Sequence, residues 1–210
     1  MKIVCYYAAA AGAHPDADPE LYDRIWPIML KSFADHGHDV IHLTDLDDMA
    51  RSDLCYRFDV DPKTVIYSRE LAWLGFLNRL AVGEVAVLVE PDAILRKPIA
   101  PLEGDMLLLT RPGKSIPCGF RMATRAAIPF YEEIVRRMGT YPREQKVFHG
   151  DVRAHRETLK LPRGESGYLP SEWDGVLIES RPAEFYTDRH PDATLWNFKG
   201  RSKKDMLQHR

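Results

Sequence analysis

Glu90 and Asp92 are the two side chains whose spacing points most directly to chemistry. They follow the aliphatic run Val85-Ala86-Val87-Leu88-Val89 and are separated only by Pro91. In an extended segment residues two apart project to the same side, so both carboxylates can meet one hard cation through oxygen. An arbitrary E-x-D is an ordinary turn with its acids in water. Here the apolar run before it and Ile94-Leu95-Arg96-Lys97-Pro98-Ile99 after it favour a built site. A run buried on both faces suits a central parallel strand, and open α/β sheets bind ligands at the carboxyl ends of such strands.

A second constellation lies near the end of the chain, in Leu195-Trp196-Asn197-Phe198-Lys199-Gly200-Arg201-Ser202-Lys203-Lys204. A strand that stops at a glycine and runs into lysines can lay backbone N–H groups and ammonium heads against a diphosphate. The alternative is a strand followed by a solvated basic end. Three other signals carry less weight. His36, His38 and His42, with Asp35 and Asp39, straddle Gly37 at a helix-to-strand junction and read as surface residues rather than metal ligands. His149 and His155 flank Asp151 and read either as binding-site groups or as solvent-facing helix positions. Of the four tryptophans, Trp173 in Ser171-Glu172-Trp173-Asp174 is the candidate ligand contact, and Trp26, Trp73 and Trp196 read as packing residues.

The elements that must hold these groups are legible from hydrophobic period. A buried strand over 3–7 leads to a helix over 19–35 with Leu21, Ile25, Ile28, Met29 and Phe33 on one face, stopped by Gly37 before a strand over 39–43. This is a β-α-β unit, for which a right-handed crossover is expected. A helix over 66–80, ended by Gly83, precedes the strand over 85–89. Further strands are expected over 106–109 and 117–122, helices over 125–138 and 147–159, and short strands over 176–179 and 194–198 in a loop-rich final quarter. Strands alternating with helices predict an α/β fold with a mostly parallel central sheet flanked by helices.

Composition agrees with one such domain over 1–210. The chain is 45% hydrophobic and 29% charged, with no repeat or low-complexity tract. A chain of this length buries roughly 70% of its unfolded surface and needs no disulfide or structural metal. Its three cysteines, Cys5, Cys55 and Cys118, form no C-x-x-C pair and are expected to be reduced. The beginning MKIVCYY has no signal-peptide pattern, and no window is apolar enough for a membrane span, so a cytoplasmic location without membrane attachment is expected. With 29 Lys and Arg against 31 Asp and Glu, the formal charge of −2 argues against a general nucleic-acid binder, although the tail KGRSKKDMLQHR is locally basic. Residues 8–13 hold one glycine and no G-x-G-x-x-G, and neither a P-loop nor G-x-S-x-G occurs.

Taken in order, the motifs resemble those of GT-A (Rossmann-like) glycosyltransferases, and more narrowly the retaining glycogenin-like and galactosyltransferase-like group, glycosyltransferase family 8. The pieces that carry the resemblance are Lys2-Ile3-Val4-Cys5-Tyr6-Tyr7, Tyr67-Ser68-Arg69, Val87-Leu88-Val89-Glu90-Pro91-Asp92, Pro117-Cys118-Gly119-Phe120, His149-Gly150-Asp151, Tyr168-Leu169-Pro170 and Asn197-Phe198-Lys199-Gly200-Arg201-Ser202-Lys203. They span nearly the whole chain, and their collinearity matters more than any single match. The resemblance implies a hexosyltransferase-like enzyme that transfers a sugar from a nucleotide sugar, most simply UDP-linked, to an unidentified acceptor with retention. It implies Mn²⁺ or Mg²⁺ held by Glu90, Asp92 and Asn197, with Glu90 shared with the ribose. Gly200 and Lys203 would contact the diphosphate, Arg69 would reach the sugar nucleotide, and Asp151 would stand beside the transferred sugar. Tyr6, Tyr7, Ala8 and Ala9 would line the base.

The sequence departs from the family pattern where the metal would sit. Glu90 replaces the first Asp of D-x-D, Asn197 replaces a histidine, and Val152 replaces a glutamine. An amide oxygen in place of imidazole weakens any preference for softer metals. Two competing readings follow: a catalytically silent nucleotide-sugar binding protein, and, from the basic tail, a glycosyltransferase acting on nucleic acid.

Overall fold

The computed structural model describes residues 1–8, 18–114, 118–163, 165–185 and 191–209. Strand β1 (Lys2–Tyr6) is followed by helix α1 (Pro19–Ala34), then by β2 (Val40–Asp45) and β3 (Cys55–Phe58). Helix α2 (Val65–Leu77) leads into β4 (Ala86–Val89), β5 (Ala93–Leu95), β6 (Met106–Thr110) and β7 (Arg121–Ala123). Helices α3 (Ile128–Gly139), α4 (Arg143–Val147) and α5 (Gly150–Thr158) come next. Strands β8 (Glu172–Trp173), β9 (Val176–Pro182) and β10 (Leu195–Asn197) precede a 3-10 stretch, Gly200–His209.

Eight strands form one sheet in the order β3-β2-β1-β4-β7-β6-β9-β8, and β10 pairs separately with β5. The half built from β3, β2, β1 and β4 is parallel throughout, while β7 runs antiparallel between β4 and β6. The expected α/β architecture with β4 at its centre is what the chain adopts. Alternation along the strands explains the two cores. Val4, Leu88 and Leu108 pack on one face against Trp73, Phe130 and Ile134 of α2 and α3. Ile3, Val87, Val89, Leu107 and Leu109 pack on the other face against Ile25, Met29 and Phe33 of α1. Strands covered on both faces need apolar residues at every position, which is why β4 reads as an unbroken aliphatic run.

Local signals set the boundaries. Asp18 caps α1 by accepting a hydrogen bond from the Leu21 amide at 3.0 Å. Gly37 lies at φ +78°, a left-handed position that turns the chain into β2. The helix expected over 147–159 begins at Gly150 as α5, and a short helix that was not expected, α4, ends at Val147 before it, with His149 at φ 56° between the two. This break puts Asp151 in the first turn of α5. The strand expected over 117–122 shortens to Arg121–Ala123, and its Pro117 lies outside the described residues. The tail is not a solvated end: Met206 is fully buried in the core that holds Phe198 and the apolar face of α1.

His42 corrects the sequence expectation of a surface residue. It is buried on β2, where Nε2 donates to the Tyr7 carbonyl at 2.7 Å and Nδ1 accepts from the Arg51 amide at 3.1 Å. His155 is also buried, with Nδ1 donating to the Asp151 carbonyl at 2.8 Å. Trp173 packs edge-on against Phe130 with ring centres 5.3 Å apart, so it serves the core.

Candidate functional site

The chain turns sharply after β4, and this turn organises the site. Glu90 leaves the strand end, Pro91-Asp92 makes the turn, and β5 begins at Ala93. Strand β10 then pairs with β5, placing Asn197 opposite Ala93, and the Phe198 amide donates to the Asp92 carbonyl at 2.9 Å. Two segments about a hundred residues apart in sequence are thus stitched together by backbone. Asn197 Nδ2 donates to Glu90 Oε2 at 2.7 Å, and the Lys199 ammonium lies 3.0 Å from the same oxygen. Lys203 hydrogen-bonds the Tyr22 hydroxyl of α1 at 2.5 Å and stands 3.7 Å from Asp92 Oδ2.

Arg69 enters from α2 and joins three acids. Its Nη2 donates to Asp151 Oδ2 at 2.5 Å and to Glu70 Oε1 at 3.1 Å, and its Nη1 lies 3.6 Å from Glu90 Oε1. Glu70 also pairs with Arg121 of β7 at 2.7 Å, with neither of those two side chains reaching solvent. A cavity of about 390 Å³ opens over this network, lined by Arg69, Glu90, Gly119, His149, Asp151 and Lys199. Gly119 makes room for it: a Cβ there would stand 2.3 Å from a Glu90 carboxylate oxygen.

The electrostatics separate the two acids of E-P-D. Burial alone would raise the Glu90 carboxyl, but Lys199, Arg69 and the Asn197 amide hold it well below the usual carboxylate range. Burial and the charge of Glu90 push Asp92 up to about 7, against the pull of Lys203. Arg69 is raised further despite burial, because Asp151, Glu70 and Glu90 surround it. Asp151 accepts Arg69 on Oδ2 and the Val152 amide on Oδ1 at 2.7 Å, so both oxygens are held in place.

Of the residues singled out from sequence, Arg69, Glu90, Asp92, Asp151, Asn197 and Lys203 converge here. Gly200 opens the 3-10 stretch that carries Lys203. Tyr6 and Tyr7 are core residues on opposite faces of β1, and Ala8 is buried beyond them. None of the three lines the cavity. Ala9 lies outside the described residues. Sequence reasoning passed over Lys199, Glu70, Arg121 and Gly119. Lys199 stood inside a quoted motif at a position without an assigned role, and Arg121 was visible as a lone charge in Phe120-Arg121-Met122.

A resident divalent cation does not fit the donor set as arranged. Glu90 turns its oxygens to Asn197, Lys199 and Arg69, and Asn197 offers Glu90 its nitrogen. Among buried oxygens here, Asp92 Oδ1 and Asn197 Oδ1 lack a partner. Mg²⁺ in nucleotide sites takes one or two carboxylates and completes its shell with water and phosphate oxygens, but here the Glu90 carboxylate that would share it already holds an ammonium and an amide N–H. Among the described residues no group of three His, Cys, Asp or Glu side chains is arranged to hold a metal.

No protein-family model and no curated protein sequence matches the chain. Solved structures match its fold over the whole length. A glycosyltransferase involved in the glycosylation of the major capsid of PBCV-1 superposes with a TM-score of 0.62 at 12% identity, covering 100% of this chain and 98% of the other. Galactosyltransferase LgtC with donor and acceptor sugar analogs gives 0.51 at 8% identity, covering 100% and 95%. An active-site mutant of LgtC gives 0.54 at 10% identity with the same coverage. The chain therefore has the GT-A fold found in glycosyltransferases, with its charged cluster at the carboxyl end of the central strand.

Proposed function

We propose that this protein is a glycosyltransferase that takes a hexose from a nucleoside diphosphate sugar, UDP-linked in the simplest case, and transfers it with retention. The observation that carries this reading is the convergence of Arg69, Glu90, Asp151 and Lys199 around one cavity at the end of β4, with Asn197 bonded to Glu90. In the reaction the bond between the sugar's anomeric carbon and the diphosphate oxygen breaks, an acceptor hydroxyl oxygen bonds to that carbon on the same face, and the hydroxyl's proton passes to the departing diphosphate oxygen. The electron pair stays on the departing diphosphate. Lys203, fixed by Tyr22, and the 3-10 turn that opens at Gly200 take up that negative charge.

Asp151 acts by position. Its oxygens are held by Arg69 and the Val152 amide, so it is a fixed anion beside the sugar rather than a mobile base. A carboxylate so held retains lone pairs for a sugar hydroxyl and stabilises positive character at the anomeric carbon. Saturation of Glu90 favours one second reading, a nucleotide-sugar binder without turnover.

A thermal-shift panel of UDP, GDP, CDP, ADP and dTDP tests the donor class. A nucleotide at about 100 times its dissociation constant stabilises the native state by roughly 2.7 kcal/mol. That corresponds to a rise of roughly 5–11 °C at about 2–4 °C per kcal/mol. Release of free nucleoside diphosphate from the matching nucleotide sugar then separates enzyme from silent binder. A flat panel ends both readings.

A further inference from the structure

We infer that a nucleoside diphosphate binds here without a divalent cation, its charge met by the ammonium of Lys199 in the place a metal would take. The inference rests on the nucleotide-sugar reading above. Lys199 lies on the rim of the cavity with its side chain 60% exposed, and its Nζ is 3.0 Å from Glu90 Oε2. That oxygen also receives Asn197 Nδ2 at 2.7 Å, so a cation approaching Glu90 meets an ammonium and an amide nitrogen already in place. The opposite oxygen of Glu90 faces Arg69 at 3.6 Å. Lys203 stands 3.7 Å from Asp92 on the far side of the turn.

Charge bookkeeping supports the substitution. The acids Glu70, Glu90, Asp92 and Asp151 are matched within the network by Arg69, Arg121, Lys199 and Lys203. With every acid ionised the cluster balances before ligand enters, and near neutral pH, where Asp92 is partly protonated, the balance tips positive without a metal. A lysine head is a compact point charge with three donors on a flexible stem. From the exposed rim it can pivot off Glu90 towards a diphosphate oxygen without unpacking the core. Asn197 stays behind to satisfy Glu90, so the exchange leaves that carboxylate partnered.

The test is calorimetric titration of the same five nucleoside diphosphates into the full chain, in excess EDTA and in excess Mn²⁺. The expected result is one nucleotide whose affinity in the two conditions agrees within about threefold, less than 1 kcal/mol. Lys199→Met should weaken it in EDTA by about 10- to 100-fold, the range of a charge-assisted hydrogen bond. Lys199→Arg, which keeps the charge, should recover most of that loss. Because Lys199 is exposed, both variants should melt with wild-type cooperativity. A wild-type affinity that collapses by more than about tenfold in EDTA overturns the inference while leaving the nucleotide-sugar reading standing. Unchanged affinity of Lys199→Met in EDTA overturns it equally. Absence of binding by every nucleotide in both conditions overturns the nucleotide-sugar reading, and the inference with it.

Discussion

Glu70 and Arg121 are joined at 2.7 Å with neither side chain reaching solvent, and Glu70 passes that anchorage on to Arg69 at 3.1 Å. The guanidinium that reaches Asp151 and Glu90 is therefore held from below by a pair buried between α2 and β7. Removing one partner of such a pair leaves the other charge uncompensated. Arg121→Met is expected to cost about 3–5 kcal/mol. In a domain of this size the melting temperature should fall by roughly 6–20 °C at about 2–4 °C per kcal/mol. A thermal melt decides the matter, and a change within about 2 °C would show that the pair does not carry the site.

The same pair makes stability depend on acid. Burial alone would raise the Glu70 carboxyl, but Arg121 and then Arg69 pull it down from 4.5 to about 2. A carboxyl lowered on folding stabilises fully above its unfolded value and loses that contribution as pH falls through the folded value. Wild-type stability in urea titrations should thus decline between about pH 4.5 and about pH 2. In Glu70→Gln the decline over that window should be shallower. Parallel curves would count against Glu70 as its source.

Gly119 offers a test of the site that spares the fold. A methyl there would stand 2.3 Å from the Glu90 carboxylate, which is the free end of a side chain and can move. Gly119→Ala should keep its melting temperature but push Glu90 off Asn197 and Lys199. Nucleotide affinity should fall by about tenfold, or 1.4 kcal/mol. Wild-type affinity in this variant would separate Glu90 from the nucleotide site.

Asp151→Asn keeps the shape of the side chain and removes its charge. With Arg69 left in place to face the cavity, nucleotide binding should stay within about threefold, less than 1 kcal/mol. Sugar transfer should drop by about 10²–10³-fold, the scale of losing one preorganised electrostatic contact at a transition state. Following nucleoside diphosphate release against time measures it. Turnover near the wild-type rate would place the transferred sugar elsewhere.

The sequence by itself determined the layered α/β fold, the central strand and the sheet end at which the charged cluster gathers. Unbroken apolar runs buried on both faces and the amphipathic face of α1 are local patterns, and Val87, Leu88 and Val89 declare a central strand wherever the rest of the chain goes. Glu90, Asp92 and Asn197 were legible as well, because each borders a strand end, and Lys203 because it follows Gly200 by three residues in a recognisable order. The break at His149 was not legible, since it needs a left-handed backbone at a non-glycine residue. Strands β3 and β8 were missed because neither carries a buried apolar run, and β5 because its three residues follow directly on the turn at Pro91-Asp92.

Only the tertiary structure decided which charge meets which. The pairing of β10 with β5 turns Asn197 and Lys199 onto Glu90 across more than a hundred residues. The register of β4 with β7 sets Leu88 opposite Arg121, which reaches Glu70 of α2. Hydrophobic period tells a segment which side to bury, whereas ion pairs form between whatever groups the packed sheet brings within a few ångströms. That is why a site read from sequence as a metal cage is, in the folded chain, a carboxylate already engaged by lysine, arginine and amide.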